Sequence, residues 1–238
     1  ASKAFLWGDS HAEHLAPLLE SLAEANDSAV MMFRHCPAFL DDNIVRRWRP
    51  DRPEYAVRCA RRWSEAVAFL KKHPEVNTVI LTASWSNVMD DIYQTDPNNR
   101  SVERGIELMR QSLSHLIDEI ALPGRHIVLV GDVPQWANDP VPCELALAGL
   151  PRRPCTGEES TLPAAKMKKV QWPVADALAA IAASRPDVTA VLPARGLCKS
   201  EYCVTILNEE PLYRDSSHIR RNLKPETRAE LARLIGLD

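Results

Sequence analysis

Ala4-Phe5-Leu6-Trp7-Gly8-Asp9-Ser10-His11, residues 4–11, is the stretch that decides the reading of this chain. Its four apolar residues read as a buried strand and Gly8-Asp9 as a turn. From residue 11 to 25, Leu15, Leu18, Leu19 and Leu22 fall on one face of a helix. A serine at such a strand-to-helix junction sits where backbone N–H groups and the positive helix end converge, which favours developing negative charge. A second block, Asp215-Ser216-Ser217-His218, supplies a carboxylate and an imidazole three residues apart late in the chain. Nucleophile, base orienter and base are then present in the order Ser10, Asp215, His218, an order that triad geometry permits. Each block alone has an ordinary reading: Gly-Asp-Ser is turn chemistry, and Asp-x-x-His also starts capped helices.

Working outward, strand-like runs fall at residues 4–7, 29–33, 78–82, 126–130 and 188–192. Helical patterns fall between and after them, at 11–25, 56–72, 102–120, 164–183 and 225–234. Alternation of this kind predicts a parallel sheet with helices on both faces. Right-handed crossovers make it a three-layer α/β/α sandwich of flavodoxin-like type with about five strands, one domain over residues 1–238. Ligands bind such sheets beyond the carboxyl ends of the strands, where Ser10 is expected. Residues 36–55 and 134–163 interrupt the pattern. The second carries Pro140, Pro142, Pro151 and Pro154 and cannot form a continuous helix. Both follow strand ends and are expected to wall the mouth of the site.

At 238 residues the chain is long enough for a sizeable single core. A formal net charge of −3 leaves no electrostatic footprint for nucleic acid, and arginine runs such as Arg46-Arg47-Trp48-Arg49 read as solvated faces. No stretch approaches the ~20 apolar residues of a membrane span. The sequence opens without a signal peptide, almost on its first strand, which suggests a fragment or processed form. The six cysteines, Cys36, Cys59, Cys143, Cys155, Cys198 and Cys203, lack the paired clusters of a zinc site. His14, His35, His73, His115 and His126 have no partner at a metal-ligand spacing, so no metal and no cofactor is expected. Neighbour pairing, Cys36–Cys59, Cys143–Cys155 and Cys198–Cys203, is one of fifteen connectivities. It implies an oxidising compartment such as the bacterial periplasm; the other reading is that some are buried thiols.

The combination of Gly8-Asp9-Ser10 after the first strand and Asp215-x-x-His218 before the last helix resembles the SGNH (GDSL-like) hydrolase family. That resemblance implies Ser10 as nucleophile, with Asp215 and His218 completing the triad. Gly8-Asp9-Ser10-His11-Ala12, His35-Cys36-Pro37, Cys59, Trp85-Ser86 and Leu212-Tyr213-Arg214-Asp215-Ser216-Ser217-His218-Ile219 are together similar to one branch. It is the SGNH domain on the C-terminal side of acyltransferase type 3 membrane proteins, which O-acetylate bacterial polysaccharide and lipopolysaccharide. The resemblance implies an O-acyltransferase acting through an acyl-serine. It also implies a membrane acyltransferase domain as partner in the same polypeptide, a glycan acceptor, and a periplasmic location on an inner-membrane protein. A carbohydrate esterase or deacetylase and a silent glycan-binding module are the alternatives.

One departure bears on the chemistry. Typical family members place a glycine after the second strand and an asparagine after the third, both serving the oxyanion hole. Here those positions hold Arg34-His35 and Ser84-Trp85-Ser86. The Ser10 N–H remains, and the second donor is expected from the backbone near Arg34 or from the Ser84–Trp85 segment. Asn87 reads as a cap or turn residue. Trp85 either lines an acyl or sugar pocket or is a core tryptophan. His11 reads as packing for the first helical turn. Asp9 reads as a helix cap or a tie to the loop near His218.

Overall fold

The computed structural model describes residues 3–41, 44–46, 54–96, 98–142 and 161–237. The chain runs β1 (Lys3–Gly8), α1 (Ser10–Ala25), β2 (Ala29–Arg34), β3 (Val45–Arg46), α2 (Glu54–Lys72), β4 (Val76–Thr82), β5 (Ile92–Tyr93), α3 (Val102–Ile120) and β6 (His126–Val130). It continues through α4 (Ala164–Val170), α5 (Trp172–Ala183), β7 (Val188–Val191), α6 (Pro193–Leu197), β8 (Ile206–Leu207), β9 (Glu210–Pro211) and α7 (Pro225–Ile235).

Five strands form one parallel sheet in the order β2-β1-β4-β6-β7, the flavodoxin-like order expected from the alternation. Successive residues of a strand face opposite sides, and this sorts the core into two layers. Phe5 and Trp7 of β1, Val79 and Leu81 of β4, and Ile127 and Leu129 of β6 pack with α2, α3 and α5. Leu6, Ile80 and Val130 face the other way and pack with α1 and α7. The strand order reverses between β1 and β4, and their carboxyl ends bracket the crevice where such sheets bind ligands. Gly8 permits this closeness, since a Cβ there would lie 2.1 Å from the Thr82 carbonyl oxygen.

Two sequence expectations are corrected. The helix expected at 164–183 is two, α4 and α5, broken at Gln171. Pro173 has no N–H to donate and its ring crowds the preceding turn, so it opens a new helix, while the Gln171 amide turns inward to the Val133 carbonyl at 2.8 Å. The excursion after β2 also contains a strand that the sequence did not suggest, β3, paired antiparallel with β5.

Disulfides join Cys36 to Cys59 and Cys198 to Cys203, as neighbour pairing anticipated; Cys143 and Cys155 lie outside the described residues. Cys36 follows β2 and Cys59 belongs to α2, so the first bridge fixes a wall of the crevice to the core. With 23 residues of separation, Cys59→Ser is expected to cost about 3 kcal/mol through denatured-state entropy. A lowered urea midpoint in the oxidised variant, matched by a loss at least as large in reduced wild type, checks it.

Candidate active site

Ser10 is the first residue of α1, and Asp9 caps the helix by accepting the His11 N–H at 2.9 Å. The second Asp9 oxygen accepts the Ser84 N–H at 3.1 Å, tying α1 to the loop after β4 rather than to the His218 loop. The Ser10 side chain is exposed and its Oγ lies 2.8 Å from His218 Nε2. His218 Nδ1 lies 2.8 Å from Asp215 Oδ1 and 3.0 Å from Oδ2. The three residues named from the sequence thus meet in one line, 208 positions apart along the chain.

The loop that delivers Asp215 and His218 is closed by its own backbone. The Arg214 N–H bonds the His218 carbonyl, and the Arg220 N–H bonds the Leu212 carbonyl. Asp215 Oδ1 accepts the Ser217 and His218 N–H groups, each at 2.9 Å, so its carboxylate is fixed before it meets the imidazole. Burial by itself would raise this carboxyl, but those bonds and His218 outweigh it and hold Asp215 below the usual carboxylate range. Outside the loop, the buried Tyr213 hydroxyl donates to the Pro134 carbonyl at 2.8 Å and the Trp136 N–H to the Ser216 carbonyl. Pro134 and Trp136 thus brace the final loop, but none of the described residues of 134–163 walls the mouth beside Ser10.

An open cavity of about 460 Å³ lies beside Ser10. Its walls include His35, Tyr55, Arg58, Ser84 and Asn87. Tyr55 and Arg58 come from the start of α2, and the Arg58 guanidinium lies 5.3 Å from the centre of the Tyr55 ring. His35 follows β2 with φ at +94°, a left-handed backbone where glycine is the usual residue. Arg34 stays within β2, paired with Gly8, and does not line the cavity. Of the pair Arg34-His35 it is His35 that faces the cavity.

Trp85 neither lines the cavity nor offers its N–H to it. Its side chain is wholly buried, with the indole N–H on the Val130 carbonyl at 2.7 Å, and its backbone N–H is taken by Asp132 Oδ1 at 2.9 Å. Asp132 Oδ2 also accepts the Ser86 N–H and hydroxyl, at 2.9 and 2.6 Å. This carboxylate after β6 holds the loop that presents Ser84 and Asn87. Burial pushes it up to about 7, against the pull of the three donors. Asn87 is a turn residue whose Nδ2 donates to Ser84 Oγ at 2.9 Å, which leaves its second amide hydrogen for the cavity.

A family model described as the SGNH domain fused to AT3 domains matches residues 1–222, and the chain belongs to that family. Among solved structures, the periplasmic domain of a lipopolysaccharide acetyltransferase from Salmonella ser. Paratyphi A shares the fold, with a TM-score of 0.60 at 16% identity, over 100% of this chain and 83% of that one. A proposed platelet activating factor from Streptococcus pneumonia aligns at a TM-score of 0.47 and 11% identity, over 99% of this chain and 82% of that one. No curated protein sequence matches significantly. No helix among the described residues is long and apolar enough to cross a membrane.

Proposed function

We propose that this chain is the glycan-acylating unit of an O-acyltransferase, carrying acetyl groups to a bacterial surface polysaccharide or lipopolysaccharide through an acyl-Ser10 intermediate. The observation that carries the reading is the unbroken contact line from Ser10 Oγ through His218 to Asp215, in a member of a family fused to AT3 domains. His218 Nε2 takes the Ser10 proton as Oγ attacks the acyl carbonyl. As the tetrahedral adduct collapses, the imidazolium returns that proton to the leaving group, and an ester to Ser10 remains. A sugar hydroxyl, deprotonated by the same imidazole, then attacks the ester; as the bond to Ser10 Oγ breaks, the imidazolium returns the proton to Oγ and the acyl group leaves on the sugar. Asp215 fixes the tautomer and stabilises the imidazolium.

The oxyanion is assigned to the Ser10 N–H at the helix start, the His35 N–H in its left-handed turn, and the Asn87 amide. The support is their common position around one cavity. His35→Gly is therefore expected to keep activity and to change stability by no more than about 1 kcal/mol, because glycine adopts this backbone freely. His35→Pro removes the N–H and fixes φ near −65°, and is expected to lose on the order of 10²-fold in turnover of an aryl acetate. Equal behaviour of the two variants would remove His35 from the hole.

The acyl donor is taken to be a type 3 acyltransferase domain of the same polypeptide, and the site to act in the periplasm. The isolated domain should then hydrolyse aryl acetates slowly, water standing in for the acceptor at an open site. A serine-reactive phosphonate should label Ser10. Absence of labelling would favour the rival of a silent glycan-binding module, to which the missing family glycine and asparagine point.

A further inference from the structure

Among the described residues, Arg58 is the arginine that walls the cavity beside Ser10, and it is exposed. Its neighbours on α2 are neutralised, since Arg61 and Arg62 both reach Glu65, at 3.7 and 3.4 Å. Arg58 itself meets no carboxylate among the described residues. Its guanidinium lies instead 5.3 Å from the centre of the Tyr55 ring, three residues earlier on the same helical face. The carboxylates of the cavity are engaged elsewhere. The two oxygens of Asp9 accept the His11 and Ser84 N–H groups. Glu13 pairs with Arg221 and stands 4.0 Å from Arg34. The cavity therefore presents a permanent cation that nothing described inside it neutralises. Cys59, the next residue, is buried and bridged to the buried Cys36, so the turn that carries Arg58 is fixed to the core.

We propose that Arg58 is an anion-binding residue for the acceptor, so that the sugar acylated at this site carries a carboxylate or a phosphate. The inference rests on acyl transfer from Ser10 and deepens that reading by naming the class of acceptor. A guanidinium presents a planar fork of N–H donors that matches two oxygens of either group. The Tyr55 ring face holds the fork in place before the acceptor arrives, which lowers the cost of ordering it on binding. A cavity of about 460 Å³ has room for a sugar unit beside the acyl group on Ser10. An acceptor gripped by its charge on the α2 wall stands in the same cavity as the serine ester and His218, and one of its hydroxyls becomes the attacking group. A neutral sugar would leave the cation with water alone.

Binding tests this without turnover. The probes are methyl glucoside, methyl glucuronide and methyl glucoside 6-phosphate, which differ in a single group. Nitrogen-15 NMR of the arginine-labelled chain follows the side-chain N–H signals as each probe is added. A charged probe should bind about tenfold more tightly than methyl glucoside and shift the Arg58 signal, and the tighter of the two identifies the charge as carboxylate or phosphate. Added salt should weaken the charged probe and leave methyl glucoside alone. In Arg58→Gln the preference should shrink to within about twofold, and in Arg61→Gln, outside the cavity, it should persist. Tyr55→Phe should keep the preference, while Tyr55→Leu should lose about threefold of it with the ring face. Equal affinity for the three probes, absence of binding by all of them, or a preference that survives Arg58→Gln would overturn the proposal. The probe comparison is read on wild type and stands whether or not a variant folds. Charge-selective binding at Arg58 without phosphonate labelling of Ser10 would strike the acyl-transfer reading and still uphold the anion subsite.

Discussion

Substituting Ser10 by alanine in the full-length protein is expected to abolish acetylation of the surface glycan while leaving the domain folded. The fold should survive because the side chain is exposed at the start of α1 and its Oγ meets only His218. Exposed changes of this kind stay within about 0.5 kcal/mol. The chemistry should not, because among the described residues no other hydroxyl lies on Nε2 to carry the acyl group; in a serine protease the same deletion costs on the order of 10⁶ in kcat. His218→Ala should match it. Asp215→Asn should lose about 10⁴, the figure for the corresponding change in a serine protease, since the wrong tautomer is then favoured. NMR of the polysaccharide from cells expressing each variant reads the result. Acetyl signals unchanged in the Ser10 variant would sink the mechanism and leave this domain to position a glycan for chemistry done elsewhere.

The fold was legible because its signals are local. Strands such as residues 78–82 are buried on both sides and read as plain apolar runs, and the helices carry clean periodicity. The meeting of Ser10, His218 and Asp215 was legible for the same reason: each half travels as one contiguous block, and the protein has only to bring two blocks together. Trp85 was not legible. A tryptophan at a strand end reads equally as core or as pocket wall; here the indole N–H goes to the Val130 carbonyl, 45 residues further on, and Asp132 takes the backbone N–H. Nothing in Gly131-Asp132-Val133-Pro134 distinguishes that aspartate from an ordinary turn residue. That His35 rather than Arg34 faces the cavity was not legible either, because the left-handed turn there depends on a backbone angle that histidine does not advertise. One miss had a signal that was present: Pro173 marked the break between α4 and α5. His11, read as packing for the first turn, is buried, and His14 follows it on the same helical stripe.

At the opposite end of the sheet from Ser10, the largest effect on stability is expected from Arg125, between α3 and β6. The residue is 3% exposed, and its guanidinium donates to four backbone carbonyls: Val76 at 2.8 Å, Ile120 at 2.7 Å, and Leu70 and His73 at 3.0 Å. Ile120 ends α3 and Leu70 lies in the last turn of α2, so one cation closes two helix C-termini, where the helix dipoles favour positive charge. Burial lowers its affinity for its proton, but an arginine so placed remains charged. Arg125→Ala would remove the side-chain donor from four carbonyls; those of Leu70 and His73 keep backbone N–H groups, from His73 and Val76, while those of Val76 and Ile120 lose the guanidinium they bond. The expected cost is about 4 kcal/mol, since each orphaned group costs 1–3 and they do not add fully. For a domain of this size that corresponds to a fall of roughly 10 °C in Tm. Arg125→Lys keeps the charge but concentrates its donors at one point, so it should recover only about half of the loss. Below the new Tm the aryl acetate activity of both variants should match wild type, because the Ser10 crevice lies beyond the other ends of the strands. A lysine variant as stable as wild type would show that charge at the helix ends, and not the four-way fork, is what holds α2, α3 and β4 together.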